Sequence, residues 1–489
     1  MTKVIRVVGW IAAISSLALF GRPAAGQCEQ RLLASDARVR AEFGASVSVR
    51  GDSAVIGATE TGRGPGAAYV FRQNGFDWIE EAKLSASDGA TGDLFGCAVA
   101  MGDDVVVVGA RWNYASVAGA GAAYVFRFDG REWNEEAKLT ASDPVVDLRF
   151  GASVAIDGDV VVVGVGNPDR EFIGAAYAFR FDGRKWTQEA KLQASDGEPN
   201  DDFGQHVFLD GDRLAISAHS KDVVGPQSGA VYYFEHDGQL WRERQRIWSE
   251  HTQPYDRFGD ELSFVGDVMI VTDYHSRPRI SVFRFDGQRW HEEASLAVSD
   301  PNVRLNGGVA IYGDHAAVGV PEMRIGYPQG AGAAFLFRYD GEGWRELAML
   351  PNPEPYSYDY FGSALAMNGG RLFVGVENDT VSWNGSPFDP GSTFVYELDA
   401  CFCSGEEKLR PPRCRMGNRG TVLAVKVKKS VPGASFLIEL SSGESSQGVV
   451  NDRGVGKVKF RGISRGAGEA VATWGCLEKA SQRRAYDCP

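Results

Sequence analysis

A phrase that begins at Phe150, Phe-Gly-Ala-Ser-Val-Ala-Ile-Asp-Gly-Asp-Val-Val-Val-Val-Gly, returns along the chain at nearly constant spacing. That periodicity restricts the chain to architectures made of stacked or ring-closed repeats. The first residue of the phrase falls at Phe43, Phe95, Phe150, Phe203, Phe258, Leu305 and Phe361, with intervals of 47 to 56 residues. Such an interval holds four short strands and their turns and is too short for an independent domain. Within a unit the pattern has period two: Ser153 to Ile156, a tight turn at Asp157-Gly158-Asp159, then Val160 to Val163 closing on Gly164. A variable loop follows, then Gly174 to Phe179, a second turn at Asp182-Gly183, Trp186, and Ala190-Lys191-Leu192. Seven units of four strands result.

One large aromatic recurs at one place per unit, at Trp78, Trp133, Trp186, Trp241, Trp290 and Trp344, and is expected to pack neighbouring sheets. The repeated Asp-Gly pairs are turn chemistry. The last unit, Phe361 to about Asp399, lacks the Trp and the Ala-Lys-Leu strand, whereas Arg31 to Asp36 precedes the first unit as an orphan copy of that strand. An N-terminal strand that completes the final sheet leaves no unpaired edge, which predicts an all-β, seven-bladed propeller over residues 27–400.

The Phe-Gly pairs, the Gly-Ala pairs at 57–58 and 109–110, and the Gly-Ala-Ala-Tyr-Val-Phe strands at 66–71 and 121–126 resemble the FG-GAP repeat of integrin alpha-subunit propellers and of many bacterial secreted proteins. The resemblance covers roughly residues 28–399 and implies a propeller used for interaction. Integrin-type repeats often carry an Asp-x-Asp-x-Asp-Gly calcium loop between the first two strands. Here that connection is as short as Gly51-Asp52 or Asp157-Gly158-Asp159, too few oxygens for calcium, so no metal or other cofactor is expected and the chain resembles the calcium-poor bacterial form.

Both ends differ from the repeats. Residues 1–26 read as a signal peptide: Lys3 and Arg6, an apolar stretch from Val7 to Phe20, and a small-residue cleavage site at Ala24-Ala25-Gly26. A secreted or cell-envelope location follows, with no membrane span after cleavage. Setting Cys97 aside as a small core residue leaves Cys28, Cys401, Cys403, Cys414, Cys476 and Cys488 as disulfide candidates for an oxidising compartment. Zinc is the competing reading of Cys401 and Cys403, which a one-residue gap fits badly. Ring closure would bring Cys28 near Cys401 or Cys403. From 401 to 489 the repeat stops, and residues 405–489 carry 16 Lys and Arg against 8 Asp and Glu in a chain of net charge −13. Alternating stretches at 422–427, 435–440 and 457–460 predict a small β-sandwich-like module whose basic face could meet acidic polysaccharide or the propeller.

Phosphate-loop, dinucleotide, Gly-x-Ser-x-Gly and His-Glu-x-x-His signatures are absent, so catalysis finds no motif. Symmetry supplies the only site signal. The third position after the anchor reads Ser46, Ala98, Ser153, His206, Glu261, Gly308 and Ala364, and the one before it places Gln205 and Asp260 in units four and five. His219, Tyr274 and His275, with Asp273, lie in loops of the same two units. These residues form the candidate ligand site, and drift at tolerant positions competes with that reading. The sequence favours a monomeric binding module facing a protein or polysaccharide at the cell surface, with no nucleic-acid role in an exported protein. A secreted glycan-acting enzyme sited on blades four and five, and a structural envelope component, are the alternatives.

Overall fold

The computed structural model describes residues 29–398, apart from 76, 115–116, 167–171, 275–278, 325–328 and 384–385, and beyond them the strands of the C-terminal region. The chain divides into two compact units, one of residues 28–402 and one containing residues 403–489. The first is a seven-bladed β-propeller of four-stranded antiparallel sheets. Blade three shows the plan: Phe150–Asp157, Val160–Val165, Ala176–Phe181 and Trp186–Leu192, paired in that order. Blade seven consists of Leu365–Asn368, Arg371–Val376 and Ser392–Glu397, and the N-terminal strand Glu29–Leu32 completes it against Ser392–Glu397. The orphan strand therefore closes the ring, over a shorter span than the sequence copy at 31–36, because Leu33 to Asp36 turn away toward blade one.

The repeated residues hold each blade to the next. Phe43, Phe95, Phe150 and Phe203 are buried and meet a blade tyrosine edge-on at 5.5 Å. That tyrosine donates its hydroxyl to the aspartate of the loop leading into the blade, as in Tyr69 to Asp36 at 2.6 Å and Tyr177 to Asp143 at 2.8 Å. The lysine of Ala-Lys-Leu bonds the same aspartate, Lys83 to Asp36 at 2.6 Å and Lys191 to Asp143 at 2.7 Å. Tryptophans do bridge sheets: Trp78 packs on Phe373 of blade seven at 4.9 Å, and Trp186 donates to Glu136 of blade two at 2.8 Å. The Asp-Gly carboxylates accept backbone N–H groups within their own turns, Asp182 from Arg184 at 2.8 Å and from Lys185 at 2.9 Å.

Antiparallel order fixes two unlike faces. Each blade sends its first-to-second and third-to-fourth connections to one face, as tight turns, and its second-to-third and blade-to-blade connections to the other, as longer loops. We call these the turn face and the loop face. At the closure Arg31 pairs with Glu354 at 2.8 Å and with the fully buried carboxylate of Asp379, which Ser392 also bonds. Arg31→Met should therefore cost about 3 kcal/mol by stranding a buried acid. Thermal unfolding of that variant, and recovery in the Arg31→Met, Asp379→Asn double variant, checks it.

The C-terminal unit holds two four-stranded antiparallel sheets, and the strands expected at 422–427, 435–440 and 457–460 lie within Gly420–Lys428, Ser435–Leu440 and Val455–Arg461. Cys28, Cys401, Cys403 and Cys476 lie outside the described residues, and Cys414 and Cys488 are described in their backbone alone. Cys97 is a free thiol, half-buried beside the propeller axis with its Sγ 3.5 Å from the Gly151 carbonyl.

Candidate functional site at blades four and five

The first strands of all seven blades line an axial channel of about 370 Å³. Most of its wall is Ala, Ser, Gly and Val, since strands converging on an axis leave room for little else. Ser46 and Ser153 spend their hydroxyls on the carbonyls of Gly96 and Gly204 in the next blade, at 2.8 and 3.1 Å. Blades four and five break the pattern by placing His206 and Glu261 in the wall, with His206 Nδ1 3.6 Å from Glu261 Oε2 and each side chain about 25% exposed to the channel. Gln205 and Asp260 are not among the lining residues. His219 stands behind, its Nε2 3.2 Å from Asp202 Oδ2, and its Nδ1 is buried without a hydrogen-bond partner. Tyr274 lies in the loop above, with the guanidinium groups of Arg257 and Arg304 over its ring at 5.5 and 5.8 Å. His275 lies outside the described residues. The structure thus brings His206 and Glu261 together directly, with His219 and Asp260 near enough to act on their charge, and leaves Tyr274 in the loop beyond Thr272.

The enclosing strands remove bulk water and with it the solvation of charge. Burial, with a smaller push from His219, lowers the His206 imidazole to about 3. Burial raises the Glu261 carboxyl well above its ordinary value, and the Asp260 charge adds to the rise. Asp260 itself is raised by burial against the pull of His219 and Arg257. Asp273, at the exit of the second strand of blade five, is raised to about 8 by burial and by Asp256, against the Arg279 N–H and charge. Near neutral pH the imidazole is neutral, and burial favours the uncharged form of the carboxyl beside it, so the pair is suited to exchange hydrogen bonds with a polar ligand. Among the described residues no set of three or more His, Cys, Asp or Glu side chains is arranged to hold a metal ion.

Two residues that sequence reasoning overlooked make this site possible. In five blades the second strand carries a glycine, at 57, 109, 164, 319 and 375, on which a Cβ would lie 1.9 to 2.1 Å from a glycine carbonyl oxygen of the next blade. Blades four and five have Ser217 and Thr272 at this place. The Ser217 hydroxyl accepts the His206 N–H at 3.0 Å, and the Thr272 hydroxyl donates to the Glu261 carbonyl at 3.4 Å. Gly259, the Phe-Gly glycine of blade five, stands back accordingly. A Cβ there would be 3.1 Å from Ala230 O, against 2.1 to 2.4 Å for the equivalents at Gly44, Gly96, Gly151 and Gly204. The loss of glycine from Gly-Ala in two successive units was the available signal.

The two propeller faces also differ in chemistry. On the loop face Val39, Tyr114, Val146, Val224, Tyr255 and Tyr358 are each roughly half exposed, whereas the turn face offers Leu240, Val265 and Tyr312. Strand arginines near the turns are paired with carboxylates, as Arg127 with Glu136 at 2.8 Å and Arg180 with Glu189 at 2.8 Å. At the loop face the half-buried Arg111, Arg149 and Arg257 have no carboxylate within ion-pairing distance among the described residues, and the Nε atoms of Arg111 and Arg149 are buried without partners there. The Arg149 guanidinium lies over the Trp112 ring at 4.5 Å.

No curated protein matches the chain. No helix among the described residues is long and apolar enough to cross a membrane. Residues 27–71, 78–126, 133–179 and 186–234 each match the FG-GAP repeat family, and each of these matches opens on the fourth strand of one blade and runs through the first three of the next. That offset is the one an N-terminal closing strand requires, and with the same strand order carried round all seven blades, this chain is an FG-GAP repeat β-propeller protein.

Proposed function

We propose that the chain is an extracellular binding module that docks a protein partner on the loop face of its propeller, centred on the channel mouth at blades four and five. The observation that carries this reading is the concentration on one face of exposed aromatic and aliphatic side chains together with half-buried arginines that lack carboxylate partners among the described residues, whereas the unpaired arginines of the turns, Arg131, Arg184 and Arg289, are exposed to solvent. Aromatic and arginine anchors dominate the energetics of protein interfaces, and an apolar patch with unpaired cations is otherwise a standing cost. His206 and Glu261 supply neutral hydrogen-bonding groups at the centre, where other blades offer only small residues. An imidazole lowered to about 3 is a poor proton acceptor near pH 7, which suits recognition better than acid–base chemistry.

Site-specific photo-crosslinkers test the face. Probes at Tyr255 and Tyr358 should capture one common partner, and probes at Leu240 and Tyr312 should not. Affinity for that partner should fall at least tenfold in Tyr255→Ser, Tyr358→Ser and in His206→Ser, Glu261→Ala, with unfolding temperatures close to wild type. Equal capture from both faces, or unchanged affinity in both double variants, would sink the assignment.

A further inference from the structure

In the C-terminal unit one sheet has its two faces sorted by charge. Its long strands, Gly420–Lys428 and Val455–Arg461, pair in antiparallel register with Leu423 opposite Phe460, Val425 opposite Val458, and Lys426 opposite Lys457. Side chains alternate across a strand, so these rows belong to opposite faces. Leu423, Val425 and Val458 are buried, whereas Lys457 and Lys459 are exposed and Lys426 is half-buried. The rows of the lysine face also hold the positions of Lys428 and Arg461. The neighbouring strand Arg413–Gly417 extends it, with Arg413 opposite Ala424 and Arg415 opposite Val422. None of the strands of this sheet, Lys408–Leu409 included, contains Asp or Glu.

Like charges directly opposite one another on a ladder repel, and each such pair costs a few tenths of a kcal/mol or more. A sheet that gathers eight cationic positions on one face, Lys408 opposite Lys428 included, in a chain of net charge −13, gains stability when a polyanion covers it. We propose that this face binds an acidic polysaccharide, a linear polymer with a carboxylate or sulfate on its repeating sugars. Neighbouring cations stand about 5 Å apart across strands and about 7 Å apart along them, a flat lattice that a polymer with one charge per sugar can follow. Lysine acts as a point charge without a fixed fork and tolerates the varied geometry of such a chain. The aromatic of these strands, Phe460, falls in the apolar row opposite Leu423, so the cationic rows have no ring on which a nucleic-acid base would stack or that would anchor in a lipid interface. The proposal is independent of the propeller's protein partner.

The test uses the full chain and polygalacturonate as the probe, with neutral dextran, phosphatidylglycerol vesicles and a single-stranded DNA oligonucleotide as the other arms. Binding to polygalacturonate is expected at 50 mM salt, weakening at least tenfold by 300 mM, with no binding to dextran. Lys426→Gln, Lys457→Gln, Lys459→Gln should lose at least tenfold in affinity, while the propeller variant Arg131→Gln, Arg184→Gln, Arg289→Gln stays at wild type. If the lysine variant fails to fold, Lys459→Glu alone should still weaken binding severalfold. The proposal is overturned by no binding at 50 mM salt, by lysine variants that bind like wild type, or by tighter binding to the vesicles or the DNA.

Discussion

Gly109→Val is expected to cost the propeller about 4 kcal/mol or more. A Cβ at Gly109 would sit 2.0 Å from the Gly151 carbonyl oxygen and 3.0 Å from its carbon, in the backbone of blade three, where no side-chain rotation relieves the contact. The two blades would have to separate, and with them the bridge from Trp186 of blade three to Glu136 of blade two. Overpacking of an ordinary core costs about 1–3 kcal/mol, because side chains shift to absorb it. Here the obstacle is main chain. Ser217→Ala, at the same position of blade four, should cost only about 1 kcal/mol, for the lost hydrogen bond to His206. Thermal unfolding of both variants decides the matter: a Gly109→Val protein that melts within roughly 2 °C of wild type would mean that the blade spacing is soft.

That contrast also marks how far the sequence could be read. Blade number, strand order and closure were legible because each follows from local rules: period-two alternation, Asp-Gly turns, and one strand missing at the end that reappears at the start. His206 and Glu261 were legible as deviations from a seven-fold pattern, and their contact at 3.6 Å follows from neighbouring blades presenting equivalent positions to the axis. The roles of Ser217 and Thr272 were not, because a serine for glycine in a strand looks conservative until the carbonyl of the next blade is in place. Nor was the sorting of apolar residues between faces. Tyr255 and Tyr358 each open a Tyr-Asp-x-Phe-Gly stretch, so their equivalence in the repeat was readable, but only the antiparallel order of the blades shows that this place lies on the same face as Tyr114 and Val224. The charge sorting of the C-terminal sheet sits between these cases. An excess of Lys and Arg was countable, but Arg413 and Lys459 share a face only through the register, in which both pair with Ala424.

Asp273 should contribute strongly to the pH dependence of stability. Its carboxyl is raised from an ordinary 3.8 to about 8 in the folded protein, by burial and then by Asp256, so the native state holds the proton far more tightly than the unfolded chain does. The sign follows from linkage: this stabilisation is complete below about pH 4, is lost as pH rises through 8, and amounts to on the order of 5 kcal/mol across that window. Glu261 and Asp260, also raised, add in the same direction. His206, lowered to about 3, acts oppositely and withdraws stability as pH falls from about 6.5 toward 3. Stability should therefore be greatest in mildly acid solution and fall steadily toward pH 9. Asp273→Asn keeps an oxygen to accept the Arg279 N–H and has no proton to lose, so its profile should be flatter, equal to or slightly below wild type near pH 4 and well above it at pH 9. Asp286→Asn, at an exposed turn on the other face where the carboxylate is held low by two backbone N–H groups, should leave the alkaline limb untouched. Parallel melting profiles for wild type and Asp273→Asn between pH 5 and 9 would show that Asp273 is ionised in the native state. Any loss of stability toward alkaline pH would then fall to Glu261 and Asp260, the other raised acids of blade five.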